Sequence, residues 1–168
     1  MPLSLYDVSV PVFIRSFGSM SAFLEKGRAH ADENGMPHEK LLEARLYPDM
    51  GPLTSQIQRA SDSAKLAAVR VGQVANAPMA DEEKSFDDLQ RRIAATVEFL
   101  KAVPSNSMDG REDAEVVLTT RAGETKFTAR DYLLGFALPN FFFHVTTAYA
   151  LLRSNGVPVG KLDYIGRR

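Results

Sequence analysis

Pro139-Asn140-Phe141-Phe142-Phe143-His144-Val145-Thr146-Thr147-Ala148-Tyr149 sets one imidazole inside a run of aromatic and apolar residues. How that run folds decides the architecture. At roughly 100° per residue, Leu133, Ala137, Phe141, His144, Ala148 and Leu151 fall within one broad arc of a helix. Phe136, Phe142, Phe143 and Tyr149 occupy the other faces, so the helix is apolar nearly all round and belongs at the centre of a bundle or in an interface. His144 then faces inward, with Asn140 one turn before it and Thr147 nearly one turn after it on the same flank. Burying an unpaired imidazole or amide is costly, so these side chains need partners. Two readings of His144 follow: a satisfied core residue, or a metal ligand or acid–base group, since imidazole titrates near neutral pH.

Working outward, Thr128 with Asp131 three residues later opens this last helix, and Asn155-Gly156 closes it. Pro139 is expected to kink it, because its ring opposes the carbonyl of Gly135 four residues back. Residues 115–120 and 124–127 flank Arg121-Ala122-Gly123 and predict a small β-hairpin that needs helical support. Ser85 with Asp88 starts a third helix, Leu89, Ile93, Val97 and Leu100 bury it, and Pro104 stops it. Pro52 suits the first turn of a second helix extending over 53–74, whose small residues allow close approach. The first helix begins at Ser4, with Asp7 three residues on, bends near Gly18-Ser19 and ends before Asn34-Gly35. The expected fold is all-α: a four-helix bundle with a small β-hairpin before the last long helix, forming a single domain over 1–168. Such a bundle is too small to cover every aromatic of its last helix, which favours a homodimer.

The chain of 168 residues is 45% hydrophobic, and its 20 Lys and Arg against 21 Asp and Glu leave a net charge of −1. That balance, without a basic stripe, lacks the electrostatic footprint of a nucleic-acid partner. There is no cysteine, so disulfides, thiolate catalysis and Cys-ligated zinc are excluded, and any metal must use His, carboxylate or water. The first residues carry no basic region before their apolar stretch, and Asp7 interrupts it, which resembles neither a signal peptide nor a membrane span. A cytoplasmic protein without a membrane partner is the expectation.

Neither a Gly-x-Ser-x-Gly elbow nor a phosphate-binding Gly-x-x-x-x-Gly-Lys loop occurs. A second concentration of possible ligands, His30, Asp32, Glu33, His38 and Glu39, straddles a helix end and has no His-x-x-x-His pair. Solvated surface is its default. Asp62 and Lys65 lie away from the second helix's apolar face and pair across one turn, whereas Gln56 lies nearer that face and can reach inward.

Two segments read together. They are Ala44-Arg45-Leu46-Tyr47-Pro48-Asp49-Met50-Gly51-Pro52-Leu53 with Gln56, Asp62 and Lys65, and Asn140 to Tyr149 with Leu152-Arg153, Asn155-Gly156-Val157 and Gly160-Lys161-Leu162-Asp163-Tyr164. They resemble the signatures of an uncharacterised bacterial domain-of-unknown-function family related to the DinB-like four-helix bundles. The resemblance covers essentially the whole chain. It implies a DinB-like bundle, commonly dimeric, in a superfamily that includes metal-dependent thiol transferases and hydrolases. It further implies a metal site of three histidines, one from the second helix and two, four residues apart, from the last. Here His144 matches the second member of that pair, Asn140 stands at the first, and the second helix has no histidine. One imidazole with an amide is a poor nickel or zinc site. The expectation is a degenerate metal site with no bound cofactor, and an inter-helix pocket at His144, Asn140, Thr147, Gln56 and Arg45 for a small polar ligand, in a small-molecule-binding or interaction protein. The alternative is a metal-dependent transferase or hydrolase using His144 and a divalent transition metal, or a metal-free catalyst with His144 as general base.

Overall fold

The computed structural model describes residues 3–166. Helix α1 spans Val10–Glu33, α2 His38–Leu42, α3 Leu53–Gly72 and α4 Phe86–Lys101. Strands β1 (Glu115–Thr120) and β2 (Gly123–Thr128) follow, then α5 (Ala129–Tyr132), α6 (Leu138–Ser154) and α7 (Lys161–Ile165). The fold is mostly helical: α1, α3, α4 and α6 form the bundle, and the antiparallel hairpin precedes the last long helix. Helix α3 lies between α4 and α6, while α1 packs on α4, α6 and the C-terminal α7. That central position is why α3 buries polar as well as apolar side chains.

Local chemistry sets the helix ends. Ser85 Oγ accepts the Asp88 amide and Thr128 Oγ1 that of Asp131, both at 3.1 Å, so each oxygen satisfies an otherwise orphaned N–H. Ser4 Oγ accepts the Asp7 amide in the same way, and the Ser4 amide donates back to Asp7 Oδ2. They cap only a turn, however, because regular helix begins at Val10 with Pro11 in its first turn, where a missing N–H is harmless. Helix α1 then runs unbroken through Gly18. Helix α3 stops at Gly72, short of Val74; Gln73 takes a left-handed conformation (φ 53°), and Arg111 Nε donates to the Val71 carbonyl at 2.6 Å.

Pro139 acts through the turn before it. Residues Leu133–Ala137 form a π-helical turn joining α5 to α6, in which the Leu138 amide reaches back five residues to the Leu133 carbonyl. The slipped register places Pro139 in a new first turn of α6 instead of leaving a broken bond in mid-helix.

Most of the aromatic surface of the last helix is covered from within the chain. Tyr149 packs edge-on to Phe23 and Tyr164, and Phe136 stacks on Tyr132. Phe143 remains 54% exposed. Among the described residues no helix is long and apolar enough to cross a membrane.

Candidate functional site

His144 is 6% exposed and sits where α6 meets α3. Its Nδ1 lies 2.8 Å from Gln56 Oε1, and the other end of that amide is committed, Gln56 Nε2 donating to the Gly51 carbonyl at 2.8 Å. The amide orientation makes Oε1 an acceptor, so Nδ1 carries the proton and Nε2 keeps its lone pair. Nε2 has no protein partner among the described residues and is not sealed off. It opens on a cavity of about 300 Å³. Arg59, Asp62, Ser63, Leu66 and Arg70 of α3 form one wall, and Tyr132, Phe136, Ala137 and Asn140 of the last helical segment the other, with Leu118 of β1 at the edge.

Burial lowers the His144 pKa from 6.5 to about 4, and the positive charge of Arg59 pushes the same way. The ring is therefore neutral at physiological pH. Linkage gives the sign: below pH 6.5 the unfolded chain binds a proton at this residue that the folded chain takes up only near pH 4. This contribution to stability is full above pH 6.5 and is lost as pH falls through 4. Urea midpoints measured between those values should fall for the native chain and fall less steeply for His144→Gln. Identical slopes would refute the assignment.

The residues singled out from the sequence do not all meet. Asn140 Nδ2 donates to Ser63 Oγ at 2.7 Å, on the cavity wall, whereas Thr147 Oγ1 donates to the Phe143 carbonyl of its own helix at 2.7 Å. Asn140, His144 and Thr147 thus each bond elsewhere and not to one another. Gln56 supports the imidazole from behind without lining the cavity, and Arg45 is exposed, its Nη1 holding the Met50 carbonyl at 2.6 Å. Lys65 departs most from its expected place. It is buried, with Nζ 3.0 Å from the Ala77 carbonyl and 3.4 Å from Asp62, because α4 and the connection 73–85 cover the flank of α3 that an isolated helix shows to solvent. His38 Nε2 contacts Asp32 Oδ1 at 2.8 Å, and His30 faces Asn34 within its own helix turn. Among the described residues, no three His, Cys, Asp or Glu side chains converge as a metal-ligand group.

Several groups were missed. Arg59, Ser63, Leu66 and Arg70 follow one another at four-, three- and four-residue spacing along α3, a stripe that a helical projection brings onto one face. Arg92 stands on the apolar arc of α4 with Leu89, Ile93 and Thr96, and its side chain is only 1% exposed. A charged residue on a buried arc was the available signal.

The donors around His144 do not fit a three-imidazole metal centre. The second-helix side chain facing it is an amide whose oxygen is occupied by the Nδ1 proton, and Asn140 presents another amide. Neutral amides are weak ligands for nickel or zinc.

A family model described as a domain of unknown function, DUF1993, matches residues 5–165. Among solved structures, the crystal structure of a DinB family member protein from Shewanella denitrificans is 31% identical, covering 98% of this chain and 93% of that one at a TM-score of 0.88. No curated protein matches the chain.

Proposed function

The chain belongs to the DUF1993 family, related to the DinB-like proteins, and from that premise we propose that it binds a small polar molecule in the cavity at His144. The degenerate metal site is the starting point of this reading. With Asn140 at the first position of the implied histidine pair and no histidine on α3, the pocket lacks the ligand set for a tightly held transition metal. One observation carries the reading: Nε2 of His144 is an unprotonated acceptor, its tautomer set by Gln56, on a residue that lines a solvent-open cleft of about 300 Å³. That volume lies at the lower end of the range for small-molecule sites. A cytoplasmic setting and self-association through exposed apolar residues such as Phe143 and Leu134 complete the proposal.

Titration with a chemically diverse fragment set, followed through the His144 imidazole resonances, should give saturable shifts. Only three histidines need to be resolved. Stoichiometric transition metal in protein purified without an affinity tag, lost in His144→Ala, would overturn the proposal in favour of the metal-dependent transferase or hydrolase. The free lone pair also supports a metal-free enzyme with His144 as general base. That reading requires a turnover that His144→Ala abolishes while the fold survives.

A further inference from the structure

The cavity is lopsided in charge. Arg59 and Arg70 both line it, eleven residues apart on α3 and hence roughly 16 Å apart along the axis, so they mark opposite ends. At the Arg70 end the guanidinium is held by a neutral aromatic: Nη1 donates to the Tyr132 hydroxyl at 2.8 Å and the guanidinium carbon lies 5.6 Å from the centre of that ring. At the other end, Arg59 has no ion pair or side-chain hydrogen bond among the described residues.

The one carboxylate on the wall does not balance it. Asp62 Oδ1 is paired with the buried Arg92 at 3.0 Å and the buried Lys65 at 3.4 Å, so two cations already offset its charge although its side chain stays partly hydrated. What remains for a ligand near His144 is the exposed Arg59 guanidinium on the same cavity wall, without an ion pair among the described residues, which calls for an anion, and the Nε2 lone pair, which calls for a neutral hydrogen-bond donor. An ammonium donor is disfavoured so close to Arg59, and a hydroxyl is not. A single planar fork matches a carboxylate better than a phosphate dianion, which calls for more donors than one guanidinium supplies. Leu66, Phe136 and Leu118 offer apolar contact beyond.

We propose that the cavity selects a small hydroxycarboxylic acid with a short apolar side chain, its carboxylate on Arg59 and its hydroxyl donating to Nε2 of His144. This rests on the small-molecule reading above and names the ligand class.

The test titrates the full chain with lactate, α-hydroxyisocaproate and mandelate against their primary amides, following the His144 ring by NMR. At least one acid should bind saturably and at least tenfold more tightly than its amide. Arg59→Gln should remove that preference while leaving the His144–Gln56 bond and the melting temperature in place, and Arg70→Gln should weaken binding less. Equal binding of acid and amide, or an acid preference that survives Arg59→Gln, would overturn the inference and leave the pocket intact as a small-molecule site. Silence from every acid overturns it as well. If the diverse fragments are silent too, the small-molecule reading falls with it.

Discussion

Arg92→Met is expected to destabilise the fold by about 3–5 kcal/mol at neutral pH, the range for removing one partner of a buried ion pair. Its guanidinium, 1% exposed, joins Asp62, Asp81 and Glu83 at 3.0, 3.0 and 2.9 Å and also donates to the Ala80 carbonyl at 3.1 Å. It thereby ties the irregular connection 73–85 to both α3 and α4. Asp62 and Asp81 are partly hydrated and can recover solvent, whereas Glu83, with an 11% exposed side chain, cannot do so freely. Burial pushes the Glu83 carboxyl up, but its hydrogen bonds from Arg92 and Gln58 outweigh burial and hold it below the ordinary 4.5. A depressed carboxylate stabilises the fold above 4.5, and that contribution is lost on acidification. The gap between native and variant chains should therefore narrow as pH falls below that value, and urea unfolding across the acid range checks it. Hydrogen exchange should accelerate across 73–85 in the variant. A gap that stays constant with pH would show that packing, and not charge pairing, sets the cost.

Phe141→Ala should cost about 3–5 kcal/mol, the range for emptying a buried aromatic position. Phe141 is fully buried, with its ring edge-on to Phe13 at 4.7 Å, Phe17 at 5.3 Å and Phe142 at 5.3 Å between centroids. The contacts with Phe13 and Phe17 join α6 to α1, and Phe141 is not among the residues that line the cavity. Phe141→Leu keeps most of the volume and should lose markedly less. Chemical denaturation of the three proteins measures both effects, and a loss under about 1 kcal/mol for Phe141→Ala would mean that the centre collapses around the void.

The helical periodicity of the chain was enough to orient the Phe141–His144 segment and to place every long helix. The hairpin and the caps at Ser85 and Thr128 were equally legible, since those signals act over a few residues. Pro139 announced a disturbance in the last helix, but whether it would kink the axis or shift the hydrogen-bond register depends on neighbours that a linear pattern does not contain. The C-terminal α7 was likewise unforeseen as a cover for Tyr149, so aromatic surface assigned to a second copy is partly met by Tyr164 of the same chain.

The polar site divides along the same line. The sequence by itself determined the bundle, the inward arc carrying His144 and the lack of two companion histidines, because each is a matter of residue type and helical phase. Only the tertiary structure decided that Gln56 of α3 holds Nδ1, that Asn140 turns to Ser63, that Lys65 is buried, and that Arg59 lines the cavity without an ion pair among the described residues while Arg92 is enclosed by carboxylates. The physical reason is that a side chain's partners lie on other helices. Periodicity fixes the face of each helix, whereas the relative shift and rotation of packed helices decide which atoms come within hydrogen-bond reach.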